Sequence, residues 1–130
     1  MKKQQEYTEI HAKSGIETKL PPIYTFPNHY KKYDVEITTD EFTSICPKTG
    51  LPDFGKIKLI YRPNKSCIEL KSFKMYLLGY RNVGIFNENL VNRILDDIVK
   101  ECNPVWAQVV GEFTSRGGLK TSVTAKYPRK

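Results

Sequence analysis

The sequence predicts an α+β fold, a four-stranded antiparallel sheet with two helices packed on one face, in the order ββααββ. Three observations carry this. Two stretches of alternating apolar and polar residues come before residue 63, two stretches with helical spacing follow, and two more alternating stretches close the chain. Strands grouped at both ends, with helices between them, leave the helices to cover one sheet face.

Taken in order, residues 1–32 are polar, and Pro21-Pro22 and Pro27 break any regular element. They read as an arm that wraps or frays ahead of a single domain over 33–130. Val35, Ile37 and Thr39 alternate with Asp34, Glu36 and Thr38, which predicts the first strand. Ile57, Leu59 and Tyr61 alternate with Lys56, Lys58 and Arg62, and Pro63-Asn64 ends the second. Phe73, Tyr76, Leu77 and Tyr80 then fall at i, i+3, i+4 and i+7, one face of a helix stopped by Asn82 and Gly84. A second helix spans about Glu88 to Glu101, with Leu90, Val91, Ile94, Leu95 and Ile98 on its buried side and Pro104 beyond its end. Alternation resumes at Val105, Ala107, Val109, Gly111 and Phe113, then at Leu119, Thr121, Val123, Ala125 and Tyr127. Ser115-Arg116-Gly117-Gly118 joins the last two strands as a hairpin turn.

A chain of 130 residues, 39% hydrophobic and 27% charged, is one ordinary globular domain. No apolar run reaches the length of a membrane span, and the N-terminal lysines precede no apolar stretch, so the expected compartment is the cytoplasm. Cys46, Cys67 and Cys102 are an odd number at wide spacing, and His11 and His29 are the only histidines. Neither a disulfide framework nor a Cys/His metal site is expected. The net charge of +7 gathers toward the ends and suits an anionic partner, nucleic acid or a phosphorylated small molecule.

Three segments carry candidate chemistry. The loop Cys46-Pro47-Lys48-Thr49-Gly50-Leu51-Pro52-Asp53-Phe54-Gly55 is stiffened by two prolines and two glycines, and it presents a thiol and a carboxyl from its two ends. A thiol is a nucleophile and a nearby carboxyl its proton partner, although a surface turn with a half-buried cysteine has the same sequence. In Glu69-Leu70-Lys71-Ser72-Phe73-Lys74, the two lysines share the outer face near a helix start. They oppose the helix dipole unless an anion sits there; a solvated pair is the alternative. In Phe86-Asn87-Glu88, a hydrophobic staple with a helix-start glutamate is the plainer reading of the segment alone; an aromatic beside a carboxylate also suits a guanine-like ring.

Together these segments, with Tyr80-Arg81-Asn82, Gly111-Glu112-Phe113 and Arg116-Gly117-Gly118, closely resemble the short, single-module form of the NADPH-dependent 7-cyano-7-deazaguanine reductase family, the nitrile reductases of queuosine biosynthesis. The resemblance runs from about Tyr33 to Pro128. It implies the tunnelling fold shared with GTP cyclohydrolase I, whose zinc ligands this chain lacks. It implies Cys46 as nucleophile and Asp53 as acid/base, the latter expected to be protonated beside Leu51, Pro52 and Phe54. It makes Lys71, Ser72 and Lys74 the NADPH-binding residues. Glu69 and Glu88 would hold the edge of the substrate, with Phe86 against its ring. Asn87 stands where the family often has histidine and so positions without carrying a proton. The resemblance also implies a ring-shaped homo-oligomer, two stacked pentamers, with sites between subunits and no membrane or nucleic-acid partner. Two alternatives are a related amidinotransferase acting on the nitrile base in tRNA and a non-catalytic RNA-binding module.

Overall fold

The computed structural model describes residues 8–129; residues 1–7 of the expected arm, and residue 130, lie outside the described residues. The chain runs α1 (Glu9–Lys13), β1 (Thr25–Pro27), β2 (Val35–Ile45), β3 (Pro52–Arg62), β4 (Ser66–Ile68), α2 (Leu70–Leu78), a 3-10 turn (Gly79–Asn82), α3 (Asn87–Cys102), β5 (Trp106–Phe113) and β6 (Ser122–Tyr127). Strands β2, β3, β5 and β6 form the predicted four-stranded antiparallel sheet, in that spatial order.

The alternating residues make the sheet's inner face. Ile57, Leu59 and Tyr61 of β3 and Ala107, Val109 and Phe113 of β5 are buried, whereas Lys56 and Lys58 point to solvent. Leu90, Val91, Ile94, Leu95 and Ile98 of α3 are all fully buried against them. The fit is close. A Cβ on Gly111 would lie 2.7 Å from Val91 Cγ2, so glycine lets the helix approach the sheet here. Asn103, left-handed at φ 46°, ends α3 just before Pro104.

The structure extends the strand reading in two places. β2 does not stop near Thr39 but continues to Ile45, because a bulge between Thr39 and Phe42 resets the alternation and turns Phe42 and Ser44 inward. β3 begins at Pro52, so residues 52–55 of the predicted loop are strand, with Asp53 directly opposite Ser44. Proline is tolerated there because it opens the strand.

The described part of the arm wraps the domain. β1 pairs with β4 in a second, two-stranded sheet, so Pro27 closes a strand rather than breaking one. Ile23 enters the core, Asn89 Nδ2 donates to Ala12 O at 2.7 Å, and Arg93 Nη1 donates to Gly15 O at 2.8 Å. These bonds hold the arm across the start of α3. Among the described residues no helix is long and apolar enough to cross a membrane.

Candidate active site

Cys46 leaves the end of β2 and opens a tight turn. Cys46 N donates to Leu51 O and Gly50 N donates to Cys46 O, both at 2.9 Å, and Gly50 takes the positive φ of 73° that closes the turn. The turn surrounds the sulfur with donors. Burial alone raises the thiol, but hydrogen bonds from the Thr49 side chain and from the Thr49 and Lys48 backbones outweigh it. Even with the charge of Asp53 working the other way, the Cys46 thiol is held below its ordinary value. Consecutive backbone N–H groups aimed at one atom form an anion-binding nest, here around the Cys46 sulfur. Cys102 is the contrast: burial, aided by Cys67, pushes it up to about 11.

Asp53 reaches the same place from β3. Its register partner Ser44 lies two residues before Cys46, and opposite residues share a sheet face. The two ends of the loop therefore meet at one edge of the core. The expected apolar burial of Asp53 is not found. Leu51, before the strand, is exposed, and so are Pro52 and Phe54, since successive strand residues point to opposite faces. Instead, Arg116 Nη2 lies 2.9 Å from Asp53 Oδ1. The sequence places Arg116 in a turn and, with Gly117-Gly118, among the family-like motifs, but gives its side chain no role.

The third group is pinned beside the thiol. Ile45 N donates to Val83 O at 3.0 Å and Ile85 N donates to Ile45 O at 2.9 Å, which sets Phe86 and the start of α3 next to Cys46. Phe86 is the N-cap of α3 and half-buried, and Glu88 is exposed in its first turn. Asn87 Oδ1 and Ser44 Oγ are buried and have no hydrogen-bond partner among the described residues. Each is a polar atom awaiting a ligand or bearing a cost of about 1–3 kcal/mol.

The remaining predicted residues lie elsewhere in the chain. Glu69 caps α2, its carboxylate accepting from Ser72 N at 2.8 Å and Lys71 N at 3.1 Å. The anion that the lysine pair requires is thus partly supplied by Glu69, whose carboxyl is held below the usual range first by the Ser72 backbone bond. Ser72 is buried; its hydroxyl donates to Glu69 O and accepts from Tyr24 N, so it anchors the helix start to the arm and offers no free donor. Lys71 and Lys74 are exposed on the outer face. Lys74 and Arg81 line a groove of about 400 Å³ between β2 and α2, floored by Phe42, Phe73 and Leu77. Cys46 is not among its lining residues. The 9 residues of α2, roughly 13 Å of helix, separate Glu69 from the Val83–Phe86 segment beside the thiol. Among the described residues, no cluster of three or more His, Cys, Asp or Glu side chains could hold a metal ion.

Known proteins resemble this chain in sequence and in fold. A family profile described as "QueF-like protein" matches residues 52–130. The NADPH-dependent 7-cyano-7-deazaguanine reductase of Elusimicrobium minutum is 56% identical over 125 residues, covering 95% of both chains. The chain belongs to this reductase family. A second family member, from Caldicellulosiruptor bescii and of the same name, is 45% identical over 128 residues, 98% of each chain. The fold recurs in the crystal structure of the archaeosine synthase QueF-Like in the apo form, with a TM-score of 0.69 at 23% identity, over 75% of this chain and 95% of that one. The α+β architecture read from the sequence, the tunnelling fold of the reductase family, is the one observed.

Proposed function

We propose that this protein reduces the nitrile of 7-cyano-7-deazaguanine to an aminomethyl group with NADPH, as a step of queuosine biosynthesis. The observation that carries the reading is the meeting of Cys46 and Asp53 at one sheet end, in a chain 56% identical to a reductase of that name. A nitrile carbon is a modest electrophile and needs a strong nucleophile. Cys46, eased toward thiolate by its turn, adds to that carbon and gives a covalent thioimide. Asp53 delivers the proton to the nitrogen. Phe86 stacks on the deazapurine ring, Glu88 accepts from its N–H edge, and Asn87 Oδ1 takes a further donor in place of a proton-carrying histidine.

The donor set beside α2 fits a dinucleotide. Lys71, Lys74 and Arg81 suit phosphates, and the apolar floor of the groove suits a flat ring. Bound NADPH supplies hydride, two equivalents accounting for the four-electron change. Enclosing the site protects from water the imine that is left when the reduced adduct loses the Cys46 thiolate.

The length of α2 lies between Glu69 and the Val83–Phe86 segment beside Cys46, which supports sites shared between neighbouring subunits. The sheet has two open edges, β2 and β6. Glu36, Asp40 and Glu41 give β2 an acidic edge, and Lys126, with Lys120 just before the strand, gives β6 a basic one. Placing the β6 of one copy beside the β2 of the next continues the antiparallel order and leaves no free edge once the ring closes. Two stacked pentamers are the form implied by the family resemblance.

The test is to incubate the protein with the nitrile in the absence of NADPH. The mass is expected to rise by that of the intact substrate, in wild type, Cys67→Ala and Cys102→Ala, but not in Cys46→Ala. An adduct mapped to either other cysteine overturns the assignment.

A further inference from the structure

Arg116 sits at the corner of the β5–β6 hairpin. Arg116 N donates to Leu119 O and Leu119 N donates to Arg116 O, both at 2.9 Å. Between them, Gly117 and Gly118 both take positive φ, 58° and 84°. This is the tight two-residue turn whose twist matches that of the strands, and it requires residues able to adopt φ above zero. No atom lies within 4 Å of a Cβ built on either glycine, so the turn's geometry selects glycine here, not crowding. The corner is therefore stiff at its base. From it the Arg116 guanidinium crosses to the start of β3, where Nη2 donates to Pro52 O and pairs with Asp53 Oδ1 at 2.9 Å. Asp53 is only 17% exposed. A partly buried carboxylate facing a sulfur nucleophile meets two difficulties. It loses hydration, and its charge opposes ionisation of the thiol. A fixed guanidinium answers both.

We propose that Arg116 is the positioning residue of the nitrile-addition step, holding the Asp53 carboxyl group aimed at Cys46 so that Asp53 relays the thiol proton to the nitrile nitrogen. The inference rests on the reductase reading above. The step balances without another reactant. The S–H bond of Cys46 breaks and its proton goes to Asp53. The sulfur pair forms the S–C bond while one C≡N π bond moves to nitrogen. Asp53 then gives that nitrogen the proton and returns to a carboxylate paired with Arg116. Arg116 from the hairpin and Cys46 from the loop both face Asp53, and the Ser44 hydroxyl lies opposite on β2.

The experiment measures the rate of adduct formation on Cys46 without NADPH, as a function of nitrile concentration, in wild type, R116Q, R116K, D53N and the D53N/R116Q double variant. R116Q is expected to slow the saturated rate roughly 10- to 100-fold, as misplacement of a reacting group does, with little change in the half-saturating concentration. R116K should recover most of that rate by restoring a cation. In the double variant the loss should be no greater than in D53N alone, because Arg116 acts through Asp53. An undiminished R116Q rate, a loss confined to half-saturation, a failure of R116K to recover, or losses that multiply in the double variant would overturn the proposal. A wild type that forms no adduct would remove the reductase reading and this proposal together, whereas a wild-type adduct with any of those results removes this proposal alone.

Discussion

Replacing Thr49 by Val removes one donor from the Cys46 nest and leaves the Lys48 and Thr49 backbone donors in place. Valine has nearly the same shape as threonine, so the turn closed by Gly50 N to Cys46 O should persist. The lost bond from Leu51 N to Thr49 Oγ1 lies at the surface, where water replaces it. A hydrogen bond to a charged group is worth about 1.5 kcal/mol at the low end, which suits a half-buried sulfur. That energy corresponds to a roughly tenfold smaller thiolate fraction at neutral pH. The sign follows from the direction of the shift. The nest holds the thiol below its ordinary value, so thiolate is present at lower pH than in a free cysteine, and removing a donor moves its appearance to higher pH. The assay is alkylation by iodoacetamide across pH, read by peptide mass. The raised Cys102, pushed up to about 11, serves as an internal standard that reacts late. Thr49→Ser should behave as wild type. A Thr49→Val profile that superimposes on wild type would refute the claim that the turn activates the sulfur.

Asp53→Asn should lower turnover by about two to four orders of magnitude while changing shape little, and near-normal turnover would make Asp53 structural. Lys71→Ala and Lys74→Ala should each raise the NADPH concentration needed for half-maximal rate more than the nitrile concentration, with the defect deepened by salt. Mixing inactive Cys46→Ala with inactive Glu69→Ala protein should restore part of the activity if one site draws on two chains, and sedimentation should report a ring rather than a monomer. An active monomer contradicts the shared site and the role of Glu69 together.

Much of this architecture was legible in the sequence because the periodicities are long. The buried stripe of α3 and the alternation of β3, β5 and β6 each run over enough residues to fix both element and face. β2 was legible only to Thr39, because the bulge at Asp40-Glu41 shifts the alternation by one residue. β1 and β4, 3 residues each, are too short to show a period, and their pairing spans about forty residues of chain. The site divides in the same way. Cys46 and Asp53 bracket one loop, so their approach follows from local chain geometry. The Arg116–Asp53 pair depends on β5 and β6 lying beside β3, which no local pattern reports. The neighbours of Asp53 also illustrate a difference between sequence and space: Leu51, Pro52 and Phe54 adjoin it in the chain yet leave it beside a guanidinium. The two lysines of α2 read as a dipole conflict because the cap, Glu69, belongs to the residue before the helix.

The central claim is a four-electron reduction of a nitrile that begins on Cys46. Its most direct test follows the loss of NADPH absorbance when 7-cyano-7-deazaguanine is added in limiting amount, with the product identified by mass. The account predicts two NADPH oxidised per nitrile consumed, the aminomethyl base as product, and no oxidation with Cys46→Ala. A wild-type protein that consumes no NADPH, or a Cys46→Ala protein that consumes it at the wild-type rate, would contradict the account.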